Sequence, residues 1–173
     1  NNNSIRAIMN TNVDDLLYGH HDDAERAVEA ILEYFQISET KQKSFRYCGT
    51  EITQYDDYSI RKTCKDNTEN IKPVQYDHSK KLTDRCTPAE ITQVRCVVQS
   101  LAWIARQVHI PLSYRISRLQ SNQNNATIYT AREANKVFDY AIEHSDQGFF
   151  FQSGAFDWTN CCVVAISDAS FAN

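Results

Sequence analysis

No apolar run in the 173 residues reaches the ~18 residues needed to span a bilayer. The first ten residues, NNNSIRAIMN, lack the basic start and the long apolar stretch of a secretory signal. The expectation is a soluble, intracellular protein with no membrane partner. No C-x-x-C pair occurs among Cys48, Cys64, Cys86, Cys96, Cys161 and Cys162. Neither a zinc site nor a disulfide framework is indicated, which fits a reducing compartment. Cys96 and Cys161 sit in apolar surroundings and read as small core residues. A basic excess is also missing. The formal net charge is -4, whereas surfaces that bind phosphate are usually basic. Arg61, Lys62 and Lys65, then Lys80, Lys81 and Arg85, form local basic segments that solvated loops explain. His20 and His21 are adjacent. Neighbours on a strand point to opposite faces, so one ion rarely takes both, and a polar turn is the simpler reading. No internal repeat is visible, and low complexity is confined to the asparagine-rich start and residues 122 to 125.

What is present suits one ordinary domain or two small ones, with 42% hydrophobic residues. IRAIMNT (5 to 11) reads as a strand. Asn12-Val13-Asp14-Asp15 and Leu16-Leu17-Tyr18 follow, giving an apolar, acidic, apolar order. That pattern predicts a hairpin with two carboxylates at its tip. Asp22 and Glu25 read as a capping box opening a helix over 23 to 36. Its apolar stripe is Ala24, Ala27, Val28, Ile31, Leu32 and Phe35.

Phe45 to Thr53 reads as one strand with Gly49 as a bend or close-approach point. Residues 54 to 86 are polar and weakly patterned, a connector with one short strand near Tyr58–Ile60. Thr87, Pro88 and Glu90 make a second capping box. Ile91, Val94, Val98, Leu101, Ala105 and Val108 mark the buried stripe behind it. Val97 and Ile104 widen the stripe, which predicts packing on more than one side. A short helix follows Pro111, with Leu112, Ile116 and Leu119 inward, and 121 to 127 is a loop. Thr130 and Glu133 suggest a third box, with Ala134, Val137, Phe138, Ala141 and Ile142 as the stripe. The apolar run Cys161 to Ile166 suits a central strand.

The chemistry lies in the paired acids. Two adjacent aspartates repel each other and are tolerated when fully solvated or neutralised by a cation. Mg²⁺ takes oxygen ligands, often one or two carboxylates together with substrate phosphates. Two such ions about 3.5–4 Å apart activate an attacking hydroxyl and stabilise a leaving pyrophosphate. A rigid hairpin is a suitable mount. A solvated surface turn is the ordinary explanation of an isolated Asp-Asp pair.

The order of segments resembles a known family. Asn12-Val13-Asp14-Asp15-Leu16-Leu17 looks like the Y-V-D-D-L-L segment of reverse transcriptases. Phe45-Arg46-Tyr47-Cys48-Gly49-Thr50-Glu51-Ile52 is similar to the F-L-G-x-x-I strand called the primer grip. Val97 to Trp103 looks like the V-G-S-L-x-Y-L helix of copia-type retrotransposon Pol polyproteins. His109 to Tyr114 stands where that group has T-R-P-D-I-S-Y. Val137-Phe138-Asp139-Tyr140 with Asp146-Gln147-Gly148 resembles its R-V-L-R-Y-L…D-x-G-L. Ile166 to Ala172 resembles the S-D-A-D-W-A that opens its ribonuclease H domain.

The resemblance implies an α+β chain: the C-terminal part of a palm over 1–60, with its metal-binding hairpin and primer-grip strand; a connector over 61–86; a helical thumb over 87–121; a connection over 122–160; and the first strand of a ribonuclease H-like fold over 161–173. It implies an RNA-directed DNA polymerase fragment using Mg²⁺ (or Mn²⁺), with an RNA/DNA template-primer and deoxynucleoside triphosphates as partners of the full-length protein. Asp14 and Asp15 would belong to the polymerase metal site, and Asp168 would be a metal-binding acid of the ribonuclease. Phe45, Tyr47, Cys48 and Gly49 would position the primer terminus; ordinary core packing is the plain reading of Phe45 and Tyr47 and is compatible with that role. A helix N-cap equally explains Asp168. Trp103 and Trp158 read as packing residues.

The sequence departs from the pattern at Asn12, where an aromatic is usual, and at Gln99, where glycine is usual. His109, Ile110 and Leu112 replace the usual T-R and D. Such changes fit a decayed or domesticated remnant that binds nucleic acid or a protein partner. The third polymerase aspartate, the nucleotide-binding fingers and the remaining ribonuclease acids would lie outside these residues. The isolated chain is therefore expected to be inactive.

Overall fold

A computed structural model describes residues 5–37 and 39–155. Contacts divide the chain into two units. Lys41–Phe151 is one, and the residues before it, with those after Phe151, are the other. The fold is mixed α+β, and its strands pair antiparallel. The segment expected as primer-grip strand and the helix expected as thumb share the larger unit. The run Cys161 to Ile166, and Cys161 as a core residue, lie outside the described residues.

In the smaller unit, β1 (Ala7–Asn12) pairs with β2 (Asp15–His20), from Ala7↔His20 to Asn12↔Asp15. The predicted hairpin forms. A 3-10 turn at Asp22–Ala24 then leads into α1 (Glu25–Tyr34). The expected Asp22–Glu25 box is absent, and neither His21 nor Ala24 makes a side-chain cap. Asp22 is spent inside the 3-10 turn, and its neighbour Asp23 pairs with Arg6 at 3.3 Å. Of the predicted stripe, Ala24 and Val28 are buried and Leu32 is half-buried, while Ala27, Ile31 and Phe35 are exposed.

In the larger unit, β3 (Ser44–Tyr47), β4 (Thr50–Gln54), β5 (Ile60–Thr63) and β6 (Phe149–Phe151) form a sheet in that order. The single strand expected over 45 to 53 is instead a hairpin. Cys48 (φ 49°) and Gly49 (φ 78°) both occupy the left-handed region. Two such residues make a turn whose twist matches that of the strands, so the chain reverses rather than bends. The short strand expected near Tyr58–Ile60 begins at Ile60, after a loop in which Asp57 Oδ1 accepts from Ser59 N (3.0 Å) and Oγ (2.6 Å).

After β5 comes α2 (Lys65–Glu69), which the polar connector did not announce. Its first N–H has no helical acceptor. Glu51 Oε2, from β4, accepts from Lys65 N at 2.9 Å. The remaining connector is pinned by side chains. Asn135 Oδ1 accepts from Val74 N (2.8 Å), and its Nδ2 donates to Val74 O (2.9 Å).

The core lies among α3 (Pro88–Gln107), α4 (Ser113–Asn122) and α5 (Ile128–Glu143). The Thr87–Glu90 box forms as predicted, with Glu90 Oε2 accepting from Thr87 N at 2.6 Å. That bond, strengthened by Lys80 Nζ at 3.1 Å, holds the Glu90 carboxyl below its usual range. Val94, Val98, Leu101, Ala105, Leu112, Ile116 and Leu119 are buried as expected. Ile104 and Val108 face a second cluster with Cys64, against Phe149 of the sheet, so α3 packs on two sides. Cys96 is exposed rather than in the core, while Cys64 and Cys86 are buried. At 100° per residue Cys96 falls opposite the Val94–Val98–Leu101 stripe.

Part of the loop expected over 121 to 127 is helical, because α4 runs to Asn122 and a 3-10 turn follows at Gln123–Asn125. The third capping box starts one turn earlier than expected. Thr127 caps and Thr130 is its partner, since Thr127 is the residue with extended backbone. No helix among the described residues is long and apolar enough to cross a membrane.

Candidate metal-binding hairpin and clamped turn

The pairing Asn12↔Asp15 leaves Val13 and Asp14 to make the turn of the first hairpin. Val13 is in the left-handed region (φ 57°) and 98% exposed. A β-branched side chain there is a genuine outlier, because Cβ crowds its own backbone. Strain of this kind persists where surrounding structure imposes it. Here the imposing structure is the strand ladder on either side. Asp14 sits in the turn and Asp15 opens β2, and both are exposed. Their oxygens are accessible to an ion. Two carboxylates match the share of ligands a protein commonly gives Mg²⁺ when phosphates and water supply the rest. Among the described residues, no cluster of three or more His, Cys, Asp or Glu could hold a metal. In the same set, β1 and β2 pair only with each other.

The other predicted residues gather at the second hairpin. Phe45 and Tyr47 lie on one face of β3 and are half-buried. Cys48 is exposed at the tip. Gly49 is fixed from two sides. Asn67 Nδ2 donates to Gly49 O at 2.6 Å, and Asn67 Oδ1 accepts from Arg46 at 3.1 Å. A Cβ on Gly49 would stand 3.1 Å from the Trp103 ring of α3. Beside this clamp is a groove of about 490 Å³ lined in part by Asn67, Asn70, Gln99, Ser100, Trp103 and Ile104. Asp14 and Asp15 belong to the smaller unit and Phe45, Tyr47, Cys48 and Gly49 to the larger. Asp168 lies outside the described residues.

Sequence reasoning missed Asn67 and saw Trp103 only as packing. The available signal was Gly49 itself, since a glycine beside a strand marks a place where another group comes close. Gly49→Ala would force a Cβ into that space with unfavourable φ. It should cost about 1–2 kcal/mol, read as a lower urea midpoint with unchanged slope.

Four of the six residues in the basic segments already have partners. Lys62 Nζ donates to Gln107 Oε1 at 3.2 Å. Lys65 Nζ meets Asp146 at 2.9 Å, and Arg61 donates to the Asp146 carbonyl. The Lys65 ammonium holds the Asp146 carboxyl below its usual range. Lys80 is taken by Glu90. Two of the residues singled out above as departures have defined surroundings. Leu112, in place of an acid, is buried in the helical core. Gln99, in place of glycine, donates to Gln123 Oε1 at 3.2 Å.

Comparison with family models, with curated proteins and with solved structures finds no match to this chain.

Proposed function

We propose that this chain is part of an RNA-directed DNA polymerase of a retrotransposon Pol polyprotein of the copia type, in which Asp14 and Asp15 hold Mg²⁺ (or Mn²⁺). The observation that carries this reading is the tight first hairpin, with its strained Val13 and two adjacent exposed carboxylates. The order of the segments after it supports the same reading.

When bound, the ions would lower the pKa of the primer 3′-hydroxyl and neutralise charge on the triphosphate. The chain's own part is placement. Asp14 and Asp15 offer oxygen ligands from one rigid turn. The Cys48–Gly49 turn, clamped by Asn67 and Trp103, offers a fixed edge to the primer end. In the reaction, the primer hydroxyl oxygen bonds to the α-phosphorus of a deoxynucleoside triphosphate. The bond to pyrophosphate breaks, and the hydroxyl proton leaves to solvent.

A second reading is a non-catalytic remnant that binds nucleic acid or a protein. It draws on the lack of a third acid beside the turn among the described residues. Primer extension on a homopolymer template with Mg²⁺ separates the two. A parent protein carrying this chain behind an intact earlier palm should extend the primer. Asp14→Asn and Asp15→Asn should reduce synthesis to background while leaving the urea midpoint unchanged, since both sites are exposed. The isolated chain should not extend. Unchanged synthesis by Asp14→Asn would remove the polymerase reading.

A further inference from the structure

His109 follows α3 and is 3% exposed. Neither of its ring nitrogens has a hydrogen-bond partner. Around it are Tyr140 and His144 of α5, with ring centroids 6.0 Å and 6.5 Å away and edge-to-face geometry. Tyr140 and His144 stack on each other at 4.1 Å, and His144 Nδ1 is 2.9 Å from Tyr140 O. This aromatic contact joins the turn after α3 (Ile110–Leu112) to the C-terminal end of α5.

We propose that His109, Tyr140 and His144 form a proton-sensitive latch, in which protonation of buried His109 releases the turn after α3 from the end of α5. An imidazole kept neutral in an apolar, aromatic site is tolerable. An imidazolium there has two buried donors, neither hydrogen-bonded in the closed state, which is costly.

The charged neighbourhood offers no relief. From α5 the titratable groups facing His109 are Tyr140 and His144, and His144 repels a second positive charge when protonated. From α3, Arg106 turns its Nε back to Ala102 O at 3.1 Å. From β5, Lys62 is engaged with Gln107. No carboxylate among the described residues is found to act on the ring. Burial pushes the pKa of His109 below the ordinary 6.5, and the backbone at His144 and at His109 itself opposes this in part.

The sign follows from linkage. In the window below 6.5 the unfolded or opened chain binds the proton more readily than the closed one. The stability of the latch is fully present above that pH and falls as pH falls. One group of this kind raises the opening constant by at most about tenfold per pH unit. Keeping the measurement above about pH 5 leaves ordinary carboxylates ionised.

Urea unfolding of the whole 173-residue chain between pH 7.5 and 5.5, followed by circular dichroism, tests the latch. The wild-type midpoint should fall across this range, and that of His109→Leu should not. His144→Gln, which leaves His109 buried, should keep most of the fall. Should His109→Leu not fold, the imidazole NMR titration of the wild type decides. A midpoint below 6.5 accompanied by chemical-shift changes at the amides of residues 140 to 144 supports the latch. Equal pH slopes in wild type and His109→Leu, or an ordinary His109 titration that leaves those amides unmoved, overturns it.

Discussion

Gly148→Ala should detach β6 from the sheet. A Cβ at this position would stand 2.0 Å from the Lys62 carbonyl oxygen and 3.0 Å from its carbonyl carbon. Both atoms are backbone in β5, whose pairing with Phe149 begins at Lys62. A flexible side chain could swing away, but a strand carbonyl cannot move without breaking its ladder. Overpacking usually costs about 1–3 kcal/mol and sometimes more. Here the upper end applies, so a loss of about 3 kcal/mol or more is expected. The measurement is the urea midpoint together with amide hydrogen exchange. Protection should be lost first at Phe149 and Phe151, and Gly148→Ser should act in the same direction. A midpoint within about 0.5 kcal/mol of wild type, the range of an ordinary surface change, would show that residues 146 to 148 are not packed this way. The same contact gives a physical reason for the Asp146-Gln147-Gly148 segment. Lys65 and Arg61 hold Asp146 while Gly148 closes on β5.

The second large effect is expected at Leu101, whose side chain is wholly buried at the meeting of the three long helices. Leu101→Ala removes packed methyl groups and leaves a cavity bordered by other helices. Such changes cost 2–5 kcal/mol, roughly. Val98 and Ile116, buried in the same cluster, limit how far the site can collapse, so the cost should exceed about 3 kcal/mol. Thermal melting of the variant should fall by several degrees. Leu101→Met, which nearly conserves volume, should lose less than about 1.5 kcal/mol. Equal losses for the two would mean that shape, not volume, governs the position.

Helix α3 was legible because its signals are local and agree. Threonine, proline and glutamate stand at the right spacing, and the apolar period continues for 20 residues. The first hairpin was legible for a similar reason, since two short apolar runs flank a polar pair. The second hairpin was not. Cys48 gives no warning that it will adopt positive φ. The small helix α2 was hidden because its first amide is capped by Glu51 from another strand. The shift of the third capping box came from Thr127, where a suitable residue one turn earlier won the competition. Cys96 was misread from its apolar neighbours, although helical phase places it outward. Of the candidate site, the acids and Gly49 could be named from the chain alone. Asn67, its bonds to Gly49 and Arg46, and the Trp103 ring could not.

By itself the sequence determined the first hairpin with Asp14 in its turn and Asp15 next to it, the long capped helix and most of its buried stripe. Each depends on neighbours within a few positions, where periodicity and capping act. Tertiary structure alone decided the reversal at Cys48–Gly49, the approach of Trp103 to that turn, the closure of Gly148 on Lys62 and the burial of His109 beside Tyr140 and His144. Apart from the reversal itself, which is a local turn, those contacts join residues about 30 to 90 positions apart. Close packing and low dielectric at such contacts act on groups that no local pattern brings together.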